Sequence, residues 1–236
     1  MNYLDLMRKR RSIRKYTLDP LTPVQIDAIN QELDVINRES GFNFQLIVNN
    51  DIAFSNPIKT LGMFKNVRNF IALVGKDDKF APKGGTFNKV GYYGARVLLF
   101  LTSLDLSTCW VALSYSKGRT EAIVESDEKV YSLITVGTRL NPLPSSRRTK
   151  SITEISDYNP KDPEWYKNGV MGAMLAPSTL GLQPVYITFD KADDKVYVKH
   201  SADNINSLDT GIVQYFFERA ADHDGLKIVL NSLFER

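Results

Sequence analysis

The 236-residue chain contains one cysteine, Cys109, and two histidines, His200 and His223. A lone cysteine excludes an intrachain disulfide, and the shortage of both residues argues against a structural zinc site or a multi-histidine metal centre. Long hydrophobic runs are also missing: the longest apolar stretch, around Val97–Leu101, is far too short to cross a bilayer. The N-terminus lacks the apolar core of a signal peptide. No Gly-x-Gly-x-x-Gly occurs, so a Rossmann nicotinamide site is not supported. These absences predict a soluble, cytoplasmic protein without a membrane span.

Net charge is small overall and its basic excess is local. Net charge is +3, yet residues 1–16 hold six of the 30 Lys+Arg (Arg8, Lys9, Arg10, Arg11, Arg14 and Lys15) against one of the 27 Asp+Glu. The remainder carries 24 basic and 26 acidic side chains. A surface that coats nucleic acid needs a broader basic field, so a local anion site is the better reading and no nucleic-acid partner is expected.

Hydrophobic residues make up 43% of the chain, which suits one large globular domain or two small ones. A short first helix ends near the basic run. Thr22, Pro23 and Gln25 form a capping box with proline at the first helical position, and Ile26, Ile29, Leu33 and Ile36 line one face of the helix that follows, up to Gly41. "FNFQLIVNND", "FIALVG" and "YSLITVGT" read as strands. "VGYYGARVLLFLTSLDL" (90–106) reads as a helix apolar nearly all round, hence buried on most sides. A helix from Asp162-Pro163, two strands joined at Ala192–Asp194, a helix over Asp209–Ala221 and a strand "LKIVL" complete an α+β pattern.

The two halves also resemble each other. Asn43-Phe44-Gln45 and Gly181-Leu182-Gln183 each follow a helix and open a strand. Gly91 lies 14 residues before Asp105-Leu106, and Gly211 lies 14 before Gly225-Leu226, each pair spanning a hydrophobic helix. The expectation is one domain over 1–236 with related half-units of about 1–155 and 156–236.

Four segments carry a family resemblance. "RRSIRKY" (10–16), "LTSLDLSTCWVAL" (101–113), "VGTRLNPLPSSRRTKSITEI" (136–155) and "MLAPSTLGLQPVYITF" (174–189) resemble motifs of the nitroreductase-like flavoproteins, and together they cover most of the chain. The resemblance implies the nitroreductase fold, an antiparallel-rich sheet flanked by helices. The motif order departs from ordinary members: Pro177-Ser178 stands in the second half, and the first half keeps only Asn43 and Gln45 of that motif. In the family two subunits build each flavin site, so this chain resembles a fused pseudo-dimer, either monomeric or paired again as a homodimer, with one FMN per chain.

Arginine forks and a serine hydroxyl suit a phosphate monoester. Arg10 and Ser12, two apart in an extended loop, point to one side. With Arg11, and with Arg147 and Arg148 closing from another direction, they are the expected phosphate ligands. A solvated basic helix end is the competing reading of residues 8–15. By resemblance, Arg14 stands near the pyrimidine edge of the flavin, where a cation raises the reduction potential. Pro177, Ser178 and Thr179 line the ring, and backbone N–H groups near Ala112 and Leu113 approach N5. The implied activity is FMN-dependent: hydride passes from NADH or NADPH through N5 to a small-molecule acceptor, a nitroaromatic, quinone or flavin, with ping-pong kinetics. A flavin-binding storage or sensing protein is the alternative. Cys109 and Trp110 are read as core.

Overall fold

The computed structural model describes residues 2–77, 85–144, 147, 149–200 and 207–232. Helices α1 (Tyr3–Lys9) and α2 (Pro23–Ser40) precede strands β1 (Gln45–Ile47) and β2 (Phe70–Lys76). Helix α3 (Thr86–Ser103) leads to β3 (Ser107–Val111) and β4 (Glu128–Gly137). Then come α4 (Ile152–Ile155), α5 (Glu164–Leu175), a 3-10 turn at Thr179–Gly181, β5 (Val185–Asp190), β6 (Lys195–His200), α6 (Leu208–Ala221) and β7 (Lys227–Ser232). Among the described residues no helix is long and apolar enough to cross a membrane. Helices accompany two antiparallel-rich sheets, the expected α+β class.

The capping box at α2 is formed: Gln25 N donates to Thr22 Oγ1 at 3.2 Å and Thr22 N donates to Gln25 Oε1 at 3.0 Å. Gly41 ends the helix at φ 74°. The first strand is shorter than its apolar run predicts. Asn49 takes φ 53° and its N–H donates to Asn69 Oδ1 at 3.0 Å, which turns the chain out of the sheet after Ile47.

The chain divides into two compact units with interleaved segments: Arg10–Thr86 with Val97–Ser145, and Met1–Lys9 with Phe87–Arg96 and Ser146–Arg236. The half-units of about 1–155 and 156–236 are an expectation from sequence, and the compact units are a different division of the same chain. The first of these units holds the sheet β1-β2-β4-β3, antiparallel throughout. Phe70, Ala72, Val74, Cys109, Val111 and Leu133 pack there with Tyr16 and Phe54. Strand β4 begins at Glu128, earlier than its apolar run predicts, because Val74–Lys76 continue the pairing past a register shift after Leu73.

The other unit holds β5-β6-β7, with β5 and β6 antiparallel and β6 and β7 parallel. Strands β2 and β3 likewise share a direction, since each runs antiparallel to β4. In this unit the first half of α3 meets α6 by reciprocal backbone contact. A Cβ on Gly91 would lie 2.2 Å from Leu208 O, and one on Gly211 would lie 1.8 Å from Asn88 O. Each carbonyl belongs to the residue three positions before the opposite glycine, the i-to-j and j-to-i pattern of a two-fold contact. Downstream, Asp105 (φ 58°) and Gly225 (φ 74°) both take the left-handed conformation, two residues before β3 and β7 begin.

Ser207 caps α6 by accepting from Thr210 N at 3.2 Å, while its own N–H donates to Asn88 Oδ1 at 2.9 Å. Tyr92 donates to Glu218 Oε2 at 2.7 Å and meets the Tyr215 ring edge-on. Gly211→Ala is expected to lower stability by about 3 kcal/mol, because the obstructing atom is backbone and the helices must separate. Urea unfolding should show a reduced midpoint with an unchanged slope.

Candidate functional site

The basic run begins in the last turn of α1 with Arg8 and Lys9 and continues from Arg10 as an extended strap. Ser12 bridges Thr108 of β3, Ile13 N donates to Thr108 O at 2.8 Å, and Leu140 N donates to Lys15 O at 2.9 Å. Tyr16 anchors it: the buried ring's hydroxyl lies 2.6 Å from both Ile13 O and Thr135 Oγ1. Burial, then the neighbouring Cys109, push the Tyr16 phenol well above its ordinary pKa, so it is a neutral hydrogen-bonding group at physiological pH. Burial likewise raises the Cys109 thiol, against the lowering effect of Arg14 and Arg10, and the side chain belongs to the core, as expected.

Arg10 is 6% exposed, and its Nη1 donates to Ser12 Oγ at 3.4 Å. Alternation along the strap brings these two side chains together, as their spacing predicts. Arg11 turns back, donating to Arg10 O at 3.0 Å, and Arg14 is exposed. On β3, Cys109 and Val111 face the core cluster, whereas Thr108 and Trp110 face the opposite side. Thr108 Oγ1 and Trp110 Nε1 are buried there without a hydrogen-bond partner among the described residues. A buried polar atom without a partner costs stability, so these two mark a place built to meet further polar groups. On the adjoining strap, two guanidinium groups and a hydroxyl form a donor set that fits a phosphate-bearing group.

Leu113, just past β3, is 72% exposed, and Ala112 is half-buried. Tyr115 N donates to Leu113 O and Ser116 N to Ala53 O, which fold the chain over a cavity of about 470 Å³. Asn56, Lys59, Lys117 and Arg119 complete its wall with Leu113, Tyr115 and Ser116. Sequence reading missed this cavity, because Lys59 stands nearly sixty residues before Lys117 and Arg119 and nothing local joins the two segments.

The remaining expected residues lie in the other unit. Arg147 donates to Leu175 O at 3.1 Å and to Met7 O at 3.3 Å, the carbonyl ends of α5 and α1. Two of its donors therefore cap helices. Arg148 lies outside the described residues. Ser178 Oγ accepts from Gln183 N at 2.9 Å, and Pro177 is half-buried beside it.

Two residues outside the expected set of flavin ligands, Gln183 and Asp209, organise this loop. Buried Gln183 accepts from Lys150 N at 2.7 Å and donates to Met174 O at 2.9 Å, as an added strand would. Gln45, its counterpart in the repeat, does the same with one residue: it accepts from Ile123 N at 2.8 Å and donates to Ile123 O at 2.7 Å. The Asp209 carboxylate receives Thr179 N at 3.0 Å and Thr179 Oγ1 at 3.2 Å. The available signal for Asp209 was its place in the first turn of α6, where a carboxylate is favoured.

Burial raises the Asp209 pKa, against the lowering effects of the Thr179 bonds and of His200. Ionising it therefore costs folding free energy: its contribution to stability falls as pH rises from the ordinary carboxylate value through the raised one. Asp209→Asn should remove that slope while retaining an acceptor for Thr179. Asp209→Ala should cost roughly 1–3 kcal/mol by leaving the Thr179 N–H unpaired. Urea titrations of the three proteins across the acid range measure both effects.

No curated protein matches this sequence. Among solved structures, a "putative nitroreductase" from Thermotoga maritima is 19% identical, with 93% of this chain and 83% of that one covered at a TM-score of 0.64. A "Putative NADH dehydrogenase/NAD(P)H nitroreductase" from Parabacteroides distasonis is 17% identical over 66% of this chain and 96% of that one, TM-score 0.50. A "putative nitroreductase" from Desulfovibrio desulfuricans, solved in complex with FMN, is 17% identical over 69% and 99%, TM-score 0.48. At these identities the likeness is one of fold. The family model described as "Putative TM nitroreductase" matches residues 2–221, and the chain belongs to that nitroreductase family.

Proposed function

We propose that this chain is an FMN-dependent NAD(P)H oxidoreductase that reduces a small-molecule acceptor. The observation that carries the reading is the Arg10–Ser12 pair on a strap bridged to β3, where Thr108 Oγ1 and Trp110 Nε1 lie buried without partners among the described residues. FMN, when bound, supplies reversible hydride transfer between a nicotinamide and the acceptor.

The chain's own residues bind and orient. Arg10, Ser12 and the Arg11 segment hold the phosphate by charge-assisted hydrogen bonds. Arg14 places a positive charge where reduction adds negative charge. The backbone at Ala112 and Leu113 borders the reacting edge, and Pro177, Ser178 and Thr179 form a wall held by Asp209 and Gln183. Arg147 joins the ends of α1 and α5, and Arg148, which follows it in sequence, is proposed as a further phosphate ligand. The reciprocal contact of α3 with α6 supports reading the chain as a fused pair of half-units with one FMN per chain.

The full-length chain mixed with FMN and freed of excess should keep the absorption bands of oxidised flavin. Arg10→Ala should weaken FMN binding roughly 10- to 100-fold, the loss of one or two hydrogen bonds to a charged group, with unchanged circular dichroism. A wild-type protein that stays colourless overturns the proposal. Steady-state NADH and NADPH oxidation with a quinone and a nitroaromatic separates turnover from flavin storage.

A further inference from the structure

The cavity bordered by Leu113 is not accounted for by binding of the flavin phosphate. Among the described residues its charged lining is all of one sign: Lys59 from one segment, Lys117 and Arg119 from another, and no carboxylate. None of these three side chains has a hydrogen bond or ion pair among the described residues. An anion placed in a hollow lined by three like charges is attracted by each of them.

The frame around the cations is well held. Thr60 is buried and its Oγ1 donates to Asn56 O at 3.1 Å. Asn56 Oδ1 accepts from Ile58 N at 2.9 Å, which leaves the Asn56 amide nitrogen available at the wall. On the other side Tyr115 is buried, Ser116 N donates to Ala53 O at 2.8 Å, and Arg119 N donates to Ser116 O at 3.1 Å. Gly118 turns at φ 78° between Lys117 and Arg119. Leu113 adds an apolar surface to the same hollow. At about 470 Å³, the cavity is in the range of small-molecule sites.

We propose that this cavity is an anion subsite for the electron acceptor, so that the compounds this chain reduces join a planar apolar body to a carboxylate or phosphate. The inference rests on the oxidoreductase reading, which places the backbone at Leu113 beside the reacting edge. An oxyanion held in the adjoining cavity then belongs to a compact acceptor. The phosphates of a dinucleotide are separated from its nicotinamide by a ribose, and the whole molecule is large for this hollow. Lys59, Lys117 and Arg119 supply charge, and Leu113 packs against the ring.

The test uses the full-length, FMN-loaded protein and three probes: 4-nitrobenzoate, 4-nitrophenyl phosphate and the neutral 4-nitrobenzamide. Dissociation constants come from calorimetry without reductant, and KM and kcat from turnover. The anionic probes are expected to bind roughly tenfold or more tightly than the amide, with an advantage that shrinks as salt rises. Lys117→Ala/Arg119→Ala should remove about tenfold of it, through KM and not kcat, and leave the amide unchanged. Lys59→Gln, a milder change, should remove a smaller part.

A preference for benzoate over phosphate, or the reverse, identifies which oxyanion the site takes. Equal binding of all three probes overturns the proposal. So does a variant effect confined to the KM for NADPH, which assigns the cavity to the reductant instead. The same calorimetry repeated on the flavin-free chain reads anion binding, and its loss in the variants, even where the chain fails to retain FMN. That failure would sink the oxidoreductase reading separately.

Discussion

Backbone contact between the starts of α3 and α6 is the constraint on which much of this architecture depends. Two helices come this close only where neither has a side chain, and Gly91 and Gly211 provide both gaps. The contact fixes the axial register of α6, and the rest of its first turn follows. Ser207 reaches Asn88, and Asp209 reaches Thr179 and so sets the conformation of the Pro-Ser-Thr loop. A helix packed one residue out of register would carry the carboxylate about 100° around its axis, away from that loop.

The other unit solves a similar problem with a strap. Residues 10–17 form only scattered bridges, so ladder hydrogen bonds alone hold them weakly. The buried Tyr16 ring fastens the strap to the core, and burial keeps its hydroxyl neutral. Gln45 and Gln183 do comparable work in their respective units, each using an amide side chain to pair with backbone that no strand reaches. An amide offers one donor group and one acceptor in the geometry of a peptide bond, which makes glutamine suited to this substitution.

The cations fall into distinct groups by environment. Arg10 is buried and directed at Ser12, and Arg147 is directed at two helix-end carbonyls. Lys59, Lys117 and Arg119 surround a hollow and lack carboxylate partners among the described residues. Composition shows a net charge of only +3. It cannot distinguish a guanidinium that orders a loop from one that awaits a ligand, because that difference depends on what each side chain faces.

What the sequence determined by itself was local. The capping box at Thr22 and Gln25, the termination at Gly41, the Arg10–Ser12 alternation and the helix starting at Pro163 all depend on neighbours within a few residues, and all are present as read. The recurrence of Gly91 and Gly211 was legible too, but not its meaning: that each glycine admits the other helix's carbonyl is a tertiary fact. Tertiary structure alone decided that Asp209 pins Thr179, that Arg147 caps α1 and α5, and that Lys59 shares a cavity with Lys117 and Arg119. The physical reason is range. Backbone propensity and capping act over one turn of chain, whereas burial, charge environment and cavity walls are set by segments that meet only once the chain has folded.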